Sequence, residues 1–320
     1  MNRPSNILDA RESIIYNKNV KDNIKIACIG DIHISNLVKS EDIIHLIDFL
    51  IEENPDYICL VGDLVDSPKE LTEGQSIAEV KLLLELCSTI APTMIILGNH
   101  DFVYKDAKDD GYYFDCKDAW EKLCDIPNVN LLNDMLFTDD KIIFAGYRQK
   151  KDAYLSSFFN MKDDSCAFYD DFIKHEDLYK NLPKDKPKIL LTHSPESLCD
   201  GRVKELLSVF DAKLTGHYHN GCVPPFLEKI YPKNAGIITP GKLPFPRTAR
   251  GVVKLDDGSY LFLSGGWVKL SESAPRFFHQ LDNLYTRQID IIILSSDEKY
   301  LDGSFDNKPP YILKKKTYED

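Results

Sequence analysis

Five clusters of side chains able to hold a metal ion punctuate this chain, and each follows a short apolar run. Asp31-Ile32-His33 follows 25–30, and Asp63-Leu64-Val65-Asp66 follows 57–61 and Gly62. Gly98-Asn99-His100-Asp101 follows 93–97, His193 follows 188–192, and Gly216-His217-Tyr218-His219 follows 212–215. Carboxylate, imidazole and amide donors without thiolate suit Mn, Fe, Zn, Ni or Co. His217 and His219 lie two apart, so their side chains point the same way on an extended chain. Singly, each residue has an ordinary role open to it. An Asp after a strand is a common turn residue, Asn99 after Gly98 suits a left-handed turn, and His193 can be a satisfied, half-buried imidazole. The ordered set D-x-H, G-D-x-x-D, G-N-H-D, a strand-end His and G-H-x-H is read jointly as a metal site. Its chemistry points to hydrolysis of a phosphate ester.

Such a set works only if the elements before it end at one edge. The apolar runs read as strands, and 41–52 and 73–90 read as helices. In the first helix Ile43, Ile44, Leu46, Ile47 and Leu50 recur at helical spacing, with Ser40 as the expected N-cap; in the second, Ile77, Val80, Leu83, Leu84 and Cys87 share a face. Strand and helix in alternation predict a mainly parallel sheet covered on both faces. Ligands of such sheets gather outside the carboxyl ends of the strands. Residues 105–185 are less regular, with a helix near 119–123, a strand at 141–146 and an aromatic, acidic stretch at 147–186. After His219, prolines at 224, 225, 232, 240, 244 and 246 mark a long loop region. Residues 251–255, 259–264 and 288–294 read as strands of a second, more antiparallel sheet, with Asp256-Asp257-Gly258 as a hairpin turn. The polar stretch 295–320 reads as a frayed or surface-lying tail, so one domain is expected with its core at about 23–294.

Composition narrows the partners. The chain has 320 residues, 43% hydrophobic and 28% charged, which suits a folded domain with a large core. Its net charge of −12 disfavours tracking of a nucleic-acid backbone or an anionic membrane. Bound cations would still create one local positive site for a phosphate. Eight cysteines are present with no C-x-x-C pair, and 1–20 shows neither a continuous apolar run nor an Arg-Arg pair. Reduced thiols in the cytoplasm are therefore expected. No stretch approaches the ~18 apolar residues of a membrane span.

The five blocks resemble the calcineurin-like metallophosphoesterase family. The resemblance implies an α/β fold, a four-layer α/β/β/α sandwich with two mixed sheets and two divalent or trivalent metal ions at their carboxyl edge. Carried over residue by residue, Asp31, His33 and His219 would hold the first ion, Asn99, His193 and His217 the second, and Asp63 would bridge both. A hydroxide between the ions would then attack phosphorus directly, with no phospho-enzyme. By the same resemblance His100 protonates the leaving oxygen or stabilises charge, Asp66 hydrogen-bonds His100 to orient it, and Asp101 has a supporting role. The expected substrate is a small phosphorylated molecule, a phosphomonoester or a phosphodiester. A nuclease of the same superfamily and a non-catalytic metal-binding scaffold are the alternatives; a scaffold would be expected to lack ligands or His100.

One departure narrows the branch. Ser67-Pro68 stands where protein Ser/Thr phosphatases of this superfamily carry Arg-Gly. A looser resemblance, to the bacterial YkuE-like branch, is carried by 248–251, 261–266, 275–277 and 289–294. Lys242, Arg247 and Arg250 are further positions from which a cation could grip substrate phosphate.

Overall fold

The computed structural model describes residues 7–35, 38–71, 76–102, 116–149, 172–195, 198, 203–239, 244–267, 285–307 and 311–312. Its strands fall into two sheets. The first contains β1 (Ile7–Tyr16), β2 (Ile24–Ile29), β3 (Tyr57–Val61), β4 (Thr93–Ile96) and β5 (Val129–Leu131). β12 (Arg287–Ser295), β13 (Ser304–Asn307) and β14 (Tyr311–Ile312) complete it, in the order β13-β1-β12-β2-β3-β4-β5 with β14 also on β1. The second contains β6 (Leu136–Thr138), β7 (Ile143–Gly146), β8 (Lys188–Leu191), β9 (Ala212–Thr215), β10 (Gly251–Lys254) and β11 (Tyr260–Leu263). Its order is β10-β11-β9-β8-β7-β6.

Both sheets are mixed. β2 through β5 run parallel, while β12 is antiparallel to β2 and parallel to β1. β7, β8, β9 and β11 run parallel, flanked by the antiparallel partners β6 and β10.

Side-chain alternation explains the layers. In β3, Tyr57, Cys59 and Val61 point into the core between the sheets, whereas Ile58 and Leu60 point to the helical side. β8 repeats this, with Ile189 and Leu191 between the sheets and Leu190 on the opposite face. Strands buried on both faces need no polar alternation, which is why they read as continuous apolar runs. α1 (Ser40–Glu53), α2 (Ser76–Ile90) and α4 (Lys117–Leu123) cover the outer face of the first sheet. Phe172, Tyr179, Leu206, Leu207 and Phe210 cover the outer face of the second. The result is the expected α/β/β/α sandwich. α3 (Asn99–Phe102) is a single turn at the sheet edge.

Several expectations change. Ser40 is the first helical residue of α1; the cap is Lys39, whose N–H donates to Asp42 Oδ2 at 2.9 Å. Ile77 is 42% exposed, so the buried face of α2 is Val80, Leu83, Leu84 and Cys87. β12 lies in the first sheet and not in a second antiparallel one. The ordered core starts before residue 23, because β1 lies between β12 and β13. The described parts of the C-terminal stretch pair antiparallel with β1 as β13 and β14. β1 escapes a hydropathy reading because Asp9, Arg11 and Glu12 interrupt its apolar residues. Its Arg11 stands opposite Asp290 of β12, and the two form an ion pair at 2.8 Å. Residues 103–115 and 150–171 lie outside the described residues.

Candidate metal centre

The loops after β2, β3 and β4 of one sheet and after β8 and β9 of the other meet at a shared edge. Backbone bonds fix their order. Asp31 N donates to Gly62 O at 3.0 Å, His33 N to Asp63 O at 3.0 Å, and Gly216 N to His193 O at 2.9 Å. Carboxylates tie loop to loop as well. His217 N donates to Asp31 Oδ1 at 2.9 Å and His100 N to Asp63 Oδ1 at 2.8 Å. Buried Asp101 accepts from Leu64 N at 2.8 Å, Val65 N at 3.1 Å and Gly98 N at 2.7 Å, joining the second and third loops. Burial first, then Asp63 nearby, pushes its carboxyl up to about 7.

Sequence reasoning missed the backbone conformation. Asp31, His33, Asp63, His217 and His219 all have positive φ, between 45° and 70°. Non-glycine residues seldom adopt this region, and Asp, Asn and His reach it most readily. The turn geometry and the ligand chemistry therefore ask for the same residue types. The glycines do the rest. A Cβ at position 98 would stand 2.3 Å from Asp63 Oδ1, and one at Gly62, where φ is 86°, 2.5 Å from His193 Nδ1.

Among the described residues three clusters result, each with its potential ligand atoms within 4.8 Å of one another: Asp31, His33 and His219; Asp63, His193 and His217; and His33, Asp66 and His100. Asp63 Oδ2 lies 3.0 Å from His193 Nε2 and 3.8 Å from His33 Nε2, so it stands between the first two. His219 Nε2 lies 3.7 Å from Asp31 Oδ1. Asp31, His33, Asp63 and His193 are at most 1% exposed.

These residues fit metal ions. His33 Nε2 and Asn99 Oδ1 are buried with no hydrogen-bond partner among the described residues, a costly arrangement unless an ion or water completes it. His193 Nδ1 is 2.8 Å from the Val61 carbonyl. A carbonyl only accepts, so Nδ1 carries the hydrogen and Nε2 is left as the ligand atom. Burial opposes charge on His33, but Asp66, Asp63 and Asp31 outweigh it and push the imidazole up to about 9. His193 is likewise pushed up to about 9 against burial, chiefly by Asp63. Burial raises Asp31; Asp63, held by His193 and His100 against its burial, lies well below the usual carboxylate range. Burial and the charge of His193 push His217 well below an ordinary histidine. Two carboxylates buried among imidazoles form a pocket that retains protons until a cation replaces them.

One expected contact is corrected. His100 Nδ1 meets the main-chain carbonyl of Asp66 at 2.7 Å, whereas Asp66 Oδ1 lies 3.3 Å from Nδ1 of His33. The turn after β3 brings the Asp66 backbone, rather than its carboxylate, to His100 as hydrogen-bond acceptor. The His33 and His100 rings are edge to face with centroids 4.7 Å apart.

Other positions sort clearly. Gln149, which no motif marks, is fully buried; its amide donates to Ser194 O and accepts from Ser194 N, both at 2.8 Å, fixing the loop beside His193. Arg250 is a structural residue: it donates to the carbonyls of Ala235, Glu228, Pro232 and Tyr231 at 2.9–3.4 Å. Arg247 is exposed, and Lys242 and 275–277 lie outside the described residues. His175 packs on Tyr147 and Tyr179, away from the clusters.

Residues 24–221 match the family model for calcineurin-like phosphoesterases. An uncharacterized metallophosphoesterase of Campylobacter jejuni is 28% identical over 215 residues, 65% of this chain and 47% of that protein. An uncharacterized metallophosphoesterase of Helicobacter pylori is 25% identical over 221 residues, 68% of this chain and 50% of that protein. The chain thus spans about half the length of these curated relatives. Among solved structures, a dimetal phosphatase from Danio rerio aligns over 76% of this chain and 87% of its own at 10% identity, with a TM-score of 0.47.

Proposed function

The chain belongs to the calcineurin-like phosphoesterase family, and from that membership and the geometry of its centre we propose that it is a two-metal hydrolase of small phosphomonoesters or phosphodiesters. The observation that carries this reading is Asp63, whose carboxylate stands between His33 of one cluster and His193 of the other. In the proposed arrangement Asp31, His33 and His219 hold one ion, Asn99, His193 and His217 hold the other, and Asp63 bridges. Mn, Fe, Zn, Ni or Co match this donor set. When bound, two such ions acidify water and clamp the oxygens of an in-line displacement at phosphorus.

The protein's own residues supply the remainder. His100 donates through Nδ1 to the Asp66 carbonyl, which leaves Nε2 to hand a proton to the leaving oxygen. Its backbone N–H anchors Asp63, so proton donor and bridging ligand are positioned by one loop. Asp66 holds the orientation of both imidazoles, His100 by its carbonyl and His33 by its carboxylate. Ser67-Pro68 offers no guanidinium beside Asp66, which weighs against phosphoproteins as substrates. The net charge of −12 weighs against extended nucleic acids. No helix among the described residues is long and apolar enough to cross a membrane. Cys28, Cys59, Cys87 and Cys124 are buried free thiols, and burial pushes those of Cys87 and Cys124 up to about 12; a reducing cytoplasm is the proposed setting.

The test compares wild type with His100→Ala on p-nitrophenyl phosphate, bis-p-nitrophenyl phosphate and an alkyl phosphate, with Mn, Fe, Zn, Ni or Co ions added in turn. Wild type should turn over only with metal. His100→Ala should keep its metal but lose ~10²–10⁴ in rate on the poor alkyl leaving group. Absence of turnover by wild type with every one of the five metals would refute the reading, and unchanged alkyl turnover in the variant would refute the role of His100.

A further inference from the structure

The described loop residues 224–239 and 244–247 expose four large apolar side chains. Phe226 is 68% exposed, Ile230 80%, Ile238 44% and Phe245 70%. They do not ride on a loose strand. Ile237 N donates to Gly221 O at 2.8 Å, Phe245 N to Ile237 O at 2.9 Å and Gly236 N to Pro246 O at 2.9 Å. A Cβ on Gly236 would stand 2.8 Å from the Gly221 Cα, so these segments touch backbone to backbone. Arg250 braces the assembly from beneath through four carbonyls of 228–235. The base of the assembly, Asn220-Gly221, directly follows His219, so it borders the metal centre.

Charge selects the partner. The described residues 224–239 and 244–247 carry Lys229, Lys233 and Arg247 against Glu228 alone, a net charge of +2 in a chain of −12. Glu228 accepts from Asn220 Nδ2, while Lys229, Lys233 and Arg247 are exposed. Apolar tips flanked by exposed cations are the composition of a segment that lies in a bilayer interface. A second copy of the chain would oppose this positive surface with an identical one. The acidic balance of the whole molecule acts weakly here, because charges beyond ~8–10 Å are largely screened at physiological salt.

We propose that this assembly seats the protein on an anionic phospholipid bilayer and presents the centre to a phosphate ester carried at that surface. The substrate class rests on the phosphoesterase reading above; the seating does not. The probe is co-sedimentation of the metal-loaded full chain with vesicles of phosphatidylcholine containing one third phosphatidylglycerol. Wild type should pellet with these vesicles, less with pure phosphatidylcholine, and less as salt rises from about 0.1 M to about 1 M and the Debye length falls to ~3 Å. Lys229→Glu with Lys233→Glu should weaken binding by at least about tenfold, and Phe226→Ser with Phe245→Ser by about as much. Both double variants should retain wild-type turnover of bis-p-nitrophenyl phosphate.

Wild type remaining in the supernatant would overturn the seating, as would variants that pellet as well as wild type. So would a wild-type dimer that the phenylalanine variant converts to monomer without any vesicle binding, or pelleting seen only when an acidic protein is present. Turnover without vesicle binding would defeat this inference and leave the phosphoesterase reading standing. Vesicle binding without turnover under any metal would defeat that reading and the substrate class, and leave the seating.

Discussion

Single residues in this centre each serve two ends. Asp31, Asp63 and three histidines are ligand candidates and also left-handed turn residues, at a cost of order 1–3 kcal/mol for each such position. His33 and His193 keep their protons up to about 9 in the metal-free protein, so an entering ion competes with them. The sign follows. Metal affinity should rise steeply from pH 6.5 to about 9 and flatten above it. Metal-free stability should move the other way: a raised imidazole pKa stabilises the fold fully below about 6.5 and is lost as pH passes through about 9. Titration calorimetry of Mn²⁺ in buffers of differing ionisation enthalpy should count proton release near one to two below pH 8. Affinity independent of pH would contradict the assigned electrostatics. At this scale the residue types that cluster at the candidate centre, and their spacing, were legible in the sequence. The Asp66 contact was not, because a motif names a side chain and here the His100 partner is the main chain of the same residue.

Among the elements, those whose strands are buried on both faces were legible and those with polar interruptions were not. β2, β3, β4, β8 and β9 read correctly because sheet and helix cover both of their faces. β1 depends on a partner 279 positions away: Arg11 donates to Asp290 Oδ2 at 3.0 Å and to Leu263 O at 3.1 Å, joining β1, β12 and the end of β11. No local window contains that neutralisation. β5 and β6, three residues each, are too short to show a period. Arg11→Met should destabilise by about 3–5 kcal/mol, because it removes the cation paired with the buried Asp290 carboxylate. Arg11→Met combined with Asp290→Leu should recover much of the loss. Lys204→Ala, which breaks the exposed pair with Asp256 at 3.0 Å, should change stability by about 1 kcal/mol or less. Urea unfolding reads all three, and an Arg11→Met loss no larger than that of Lys204→Ala would contradict the placement of β1.

The whole molecule exists to bring two sheets to one edge. Three of the loops that carry candidate ligands come from the first sheet and two from the second, and the core between the sheets sets their separation. The sequence order of the blocks made a convergence legible, and the resemblance supplied the sandwich. Hydropathy alone could not say which strand joins which sheet, so β12 was assigned to the wrong one; its pairing with β1 and β2 is decided by long-range register. Net charge, an average over the chain, likewise hid the basic, apolar loop beside His219. Because Asp63 is the point where the two clusters meet, counting metal in wild type and in Asp63→Ala by elemental analysis tests the central claim most directly. Wild type reconstituted with Mn²⁺ should hold two ions per chain, and Asp63→Ala, still folded by circular dichroism, should lose both. Two stoichiometric ions retained by Asp63→Ala, or a single ion in saturated wild type, would contradict it.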